Sequence, residues 1–197
     1  MKFLKAEKGL FGYINKQRVI EVAKTIFMFA CAIGLYLIGF VTLKTNKSVW
    51  TILAVLSILP ASKSAVNMIM FFRFSSISKS EYDQIEASKG AIPTKYEYVF
   101  TTSEKSYYVK SAACCDSTVI ALLDNSKGGK KKNSMPNELK SHIMSSIERE
   151  GFSGYTLKIY TDINEYTRRL SEMNENLDGD ADASNIRIFA LFNAITL

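Results

Sequence analysis

Apolar and polar positions change rhythm twice along this chain. Thr25 to Leu43 reads TIFMFACAIGLYLIGFVTL, with no charge, and Val49 to Phe72 reads VWTILAVLSILPASKSAVNMIMFF, with Lys63 as its one charge. A helix rises about 1.5 Å per residue, so roughly 20 apolar residues cross a hydrocarbon core of about 30 Å. Both runs reach that length, and the pattern predicts a membrane hairpin over 25–43 and 49–72. Ahead of it, Phe11, Ile14, Val19 and Val22 recur at near-helical spacing among Lys16, Arg18 and Glu21. That stretch reads as a helix on the membrane surface or an extension of the first span.

After residue 78 the apolar runs shorten. Ser80 to Lys89 reads as a short helix capped by Ser80, with Asp83 in a capping-box position and Gly90 and Pro93 ending it. Three runs rich in aromatic and β-branched residues then predict strands at 96–102, 106–114 and 118–123, the first two as a hairpin. Leu139, Ile143, Met144 and Ile147 mark a helix over 135–150, with Pro136 near its start and Gly151 closing it. Tyr155 to Thr161 alternates as a strand, Asp162 caps a helix over 163–176, and the apolar tail 186–197 is too short to span and predicts a docked helix or strand. The expected class is a membrane hairpin plus an α/β (α+β) cytosolic domain, ordered α-β-β-β-α-β-α with a mixed sheet and flanking helices. The expected division is 1–78, the basic N-terminal helix and hairpin, and 79–197, the cytosolic domain.

Charge sharpens the membrane reading. Ten of the 25 Lys and Arg lie before residue 79, against two of the 19 acidic residues, so the basic balance belongs to the bilayer-proximal part. Six basic residues precede the first span, Arg73 and Lys79 follow the second, and only Lys44 and Lys47 lie between them. The positive-inside rule then puts both termini on the cytoplasmic side of the inner membrane. The first apolar run exceeds the 7–15 residues of a signal peptide and starts late, which predicts a retained anchor. Cys31, Cys114 and Cys115 form no disulfide framework, as expected of a reducing compartment.

Within the spans, Ala30 and Gly34 in the first, and Ser57, Ala61 and Ala65 in the second, stand four apart, a spacing that lets helices pack closely within a hairpin or a homodimer. Pro60 predicts a bend, and Lys63 and Asn67 share one face beyond it as intramembrane polar residues. In the domain, Lys127, Lys130, Lys131 and Lys132 surround Gly128-Gly129, a solvated loop or a contact for the phosphates of nucleic acid or anionic lipid, with Lys16 and Arg18 as further contacts. His142 stands four residues after Glu138 and reads as an ordinary helical residue. No P-loop or metal-ligand spacing is present, so neither a resident metal nor a cofactor is expected.

The element order over about 80–176 resembles the core of restriction-endonuclease-like (PD-(D/E)xK) folds. That resemblance implies a Mg²⁺ site with an acidic residue on one strand and an acidic-x-lysine triplet on the next. The third strand, TVIALLD, lacks the triplet, and its nearest imitation is Asp116, Asp124 and Lys127. A domain without the activity is therefore expected. The whole arrangement, including LPASKSAVNMIM, also resembles small uncharacterised bacterial two-span membrane proteins. The expected function is a membrane-anchored, non-enzymatic binding or scaffold protein whose partners are the bilayer and a protein or second copy. The alternatives are a membrane-tethered RNA- or DNA-binding protein and a metal-dependent nuclease.

Overall fold

The computed structural model describes residues 6–43, 49–102, 105–124, 135–152, 154–176 and 183–196. Lys44, Lys47 and the Lys127–Lys132 loop lie outside the described residues. The chain divides into two units, 1–6 with 14–75 and 7–13 with 76–197. The second unit thus takes in a strap, Glu7–Tyr13, that sequence reading assigned to the hairpin.

The first unit holds two helices, α1 (Tyr13–Leu43) and α2 (Val49–Phe72). Nothing after Gly12 breaks a helix before the apolar run, so the surface segment and the first span are one continuous α1. Helix α2 continues through Pro60. Thr25 and Ser64 share a buried hydroxyl–hydroxyl hydrogen bond of 3.0 Å, and Arg18 donates to the Phe74 carbonyl at 2.7 Å, so the helices run antiparallel. Their buried positions include Ala54, Ala61, Ser64 and Phe71 on α2, at sevens and threes, and on α1 Gln17, Glu21 and Thr25 at fours followed by Ala32 and Gly39 at sevens. Sevens and threes are the spacing of a left-handed, side-chain-packed seam. Ala61 lies in it and Ser57 and Ala65 at its margin, whereas Ala30 is exposed and Gly34 has open space around its missing Cβ. The four-residue stripe expected on α1 is therefore not the packed face.

The second unit is an α+β layered structure: α3 (Lys79–Lys89), β1 (Thr94–Thr101), β2 (Ser106–Cys115), β3 (Thr118–Leu123), α4 (Met135–Arg149), β4 (Thr156–Tyr160), α5 (Ile163–Glu175) and α6 (Ala183–Ile195). The strands lie in the order β1-β2-β3-β4, antiparallel except for the parallel β3–β4 pair. One face of the sheet packs on Leu139, Ile143 and Ile147 of α4 and on Ile188, Phe189 and Phe192 of α6. The other packs on Ile85 of α3 and on Tyr166, Leu170 and Met173 of α5. The cap of α3 is Ser78 rather than Ser80, because its hydroxyl accepts from the Glu81 N–H while the Glu81 carboxylate accepts from the Ser78 N–H, closing a capping box with Glu81 in place of Asp83. Asp162 caps α5 as its sequence predicts.

Candidate functional site

Two edges bound the sheet, and the chain treats them differently. At β1 the outer edge is occupied by its own strap and tail. The Tyr96 N–H donates to the Gly9 carbonyl at 3.0 Å, and Phe100 forms a bridge with Thr196. Lys8 reinforces this closure by donating to the Asn193 carbonyl at 2.9 Å and to that of Thr196, at the C-terminal end of α6. At β4 no strand among the described residues pairs with the outer edge.

The hydrogen-bond direction of β4 follows from its register. The Thr156 N–H donates to the Ser117 carbonyl at 2.8 Å, and Thr118 pairs with Thr156 in parallel. In a parallel ladder alternate residues turn both backbone groups to the same neighbour. Thr156, Lys158 and Tyr160 therefore face β3, and Leu157 and Ile159 turn their N–H and C=O groups outward. Beside this edge a groove of about 300 Å³ runs between Leu157–Tyr160 and the first turns of α4, where Pro136, Asn137 and Lys140 line it. Leu157 is buried and Ile159 half-buried, giving the groove an apolar floor; Lys140 is exposed at its rim, and Lys158 is exposed on the opposite face of β4.

A second polar cluster lies under β1. Glu97 is fully buried at φ 57°, a left-handed conformation that a non-glycine residue rarely adopts within a strand. Its Oε1 accepts from the Gly12 N–H at 3.2 Å, from the Ile77 N–H at 3.2 Å and from the Ser76 hydroxyl. The carboxylate thus fastens both chain segments that enter the second unit, the strap and residues 76–77, to β1. Lys110 lies on β2 between Val109 and Ser111, which pair with Tyr98 and Tyr96 on either side of Glu97, and its Nζ is 2.8 Å from Glu81 and 3.7 Å from Asp124. Burial raises the Tyr108 hydroxyl above its ordinary range, and the nearby Glu97 and Asp124 charges raise it further. Burial also pushes the Glu81 carboxyl upward, but the Lys110 ammonium and the Ser78 N–H outweigh it, so its pKa falls below the usual value. These contacts make the cluster a fastening.

The residues singled out from sequence do not converge. Asp116 sits exposed in the β2–β3 turn at φ 52°, and Asp124 follows the opposite end of β3. Eight residues of nearly extended chain separate them by about 25 Å, too far for one metal ion. Burial and the neighbouring Cys115 and Asp116 raise Cys114 to about 12, so it is an inert thiol. Lys16 is exposed on α1, but Arg18 is engaged by the Phe74 carbonyl and lies 5.1 Å over the Phe72 ring. Lys63 is exposed on α2 and Asn67 half-buried.

Sequence reading missed Gln17 and Glu21, which are buried on α1, joined by a 2.7 Å hydrogen bond and backed by Lys24 at 2.8 Å from Glu21. Their signal is the polar repeat Gln17, Glu21, Thr25 at fours. It also missed Glu97, whose signal is a lone acid inside the aromatic run YEYVF. No protein-family model, curated protein or solved structure matches the chain.

Proposed function

We propose that this protein is a membrane-anchored binding protein: α1 and α2 lie in the cytoplasmic membrane, both termini face the cytoplasm, and the α+β unit offers the β4 edge and its groove to a partner. The observation that carries the reading is the outward direction of the apolar side chains on both helices. Ile26, Phe27, Ile33, Leu37, Val41, Ile52, Val55, Leu59, Val66 and Ile69 are all exposed. Only 17% of the residues in the apolar stretch of each helix are buried. A soluble core helix hides such residues, and exposed apolar surface on this scale marks contact with lipid or protein.

The basic flanks support the orientation, since Lys and Arg gather before α1 and after α2. Lys63 lies nine residues before the end of α2, about 14 Å along the helix, and on this reading it is an intramembrane polar residue on the same face as Asn67. The test is a pair of C-terminal fusions expressed in bacteria. A fluorescent protein that matures only in the cytoplasm should light up in the membrane fraction, and a phosphatase active only outside it should stay silent. An active phosphatase fusion, or a fluorescent fusion left in the supernatant after centrifugation, would overturn the reading.

A further inference from the structure

We propose that the outer edge of β4 takes up an extended peptide as a fifth strand, and that this peptide alternates apolar and acidic residues. The inference rests on the binding-protein reading above and adds the site and the class of partner.

Three observations carry it. First, the chain covers the β1 edge with Gly9 and Thr196, yet among the described residues it pairs nothing with β4. A strand edge left with outward N–H and C=O groups is a template for another strand. Leu157 and Ile159 supply two donors and two acceptors in register for an incoming backbone. Second, the edge is accompanied by a groove of about 300 Å³ with Leu157 and Ile159 on its floor. Side chains alternate across a strand, so every second residue of an added peptide would enter this groove. Third, both flanks of the edge are basic. Lys140 on α4 is exposed beside the groove, and Lys158 on β4 is exposed on the opposite face of the sheet, toward which the alternate residues of an added peptide would turn; neither forms an ion pair among the described residues. Acidic side chains of an extended peptide complement them. A lysine in the middle of an edge strand also discourages indiscriminate sheet growth, which here confines pairing to acidic strands.

The experiment uses the full chain in mild detergent against a library of random twelve-residue peptides, followed by hydrogen exchange with the best peptide. The enriched peptides should alternate apolar and acidic residues, and they should slow exchange at the Leu157 and Ile159 amides. Ile159→Pro removes one outward N–H while leaving the β3–β4 ladder intact, and it should abolish binding. Lys140→Glu with Lys158→Glu, both at exposed positions, should weaken binding about tenfold without changing the fold. Peptides or oligonucleotides that bind but protect other amides would overturn the strand addition and leave the binding-protein reading standing. Slow exchange at Leu157 and Ile159 in the peptide-free protein would overturn it as well, since the edge would then be covered already.

Discussion

Glu97 holds a left-handed backbone inside a strand because three donors converge on its buried carboxylate. Charge-assisted hydrogen bonds of this kind are about twice as strong as neutral ones, which offsets the strain of the backbone. Glu97→Ala would leave the Gly12 and Ile77 N–H groups and the Ser76 hydroxyl without their acceptor. It should cost about 3 kcal/mol of stability, read as a fall in the denaturant midpoint of the full chain in mild detergent. Asp116→Asn is the control: Asp116 is also left-handed but exposed, and asparagine tolerates that conformation, so the change should stay under about 0.5 kcal/mol. Acidity acts at Glu81 and Glu86. Burial raises both carboxyls, but Lys110 with Ser78, and Lys89 with Tyr96, outweigh it and hold both below their ordinary values. A depressed carboxylate stabilises the fold above its unfolded pKa of about 4.3 and loses that contribution as pH falls through the folded value. Melting temperatures taken through the acid range should drop below about pH 4, and Glu81→Gln should flatten that drop.

At the scale of elements, boundaries are legible where chemistry marks them. Val49–Phe72 begins after a lysine and a serine and ends at Arg73, and Thr118–Leu123 lies between two aspartates; both elements keep those limits in the structure. Misreadings occur where two residues of one type compete or where the cause lies far away in the chain. Ser78 and Ser80 are equally good caps in isolation, and only Glu81, three residues after Ser78, decides between them. Gly9 pairs with Tyr96, and no local signal at either residue points to the other. The open β4 edge depended on strand order, which a run such as YTLKIYT does not carry. On α1 the small residues Ala30 and Gly34 stand four apart, but the buried positions include Gln17, Glu21, Thr25, Ala32 and Gly39, on another face. Ala61→Leu should disturb the pair, since Ala61 is fully buried and overpacking costs roughly 1–3 kcal/mol. Ala30→Leu should leave it unchanged, because Ala30 is exposed. Thermal unfolding in detergent, followed by helical circular dichroism, separates the two variants.

For the molecule as a whole, the decisive matter is the solvent around α1 and α2. The chain has one tryptophan, Trp50, in the first turn of α2 and partly exposed, so its fluorescence reports on that end of the helix without any mutation. Aromatic side chains at the end of a membrane helix settle near the interface. The most direct measurement reconstitutes the full chain into vesicles and quenches Trp50 with brominated lipids or with iodide in the water. If the helices cross the bilayer, lipids brominated near the headgroups should quench more strongly than those brominated near the chain ends, and iodide should have little effect. Quenching by iodide with none from any brominated lipid, in a protein that stays monodisperse in buffer alone, would contradict the account.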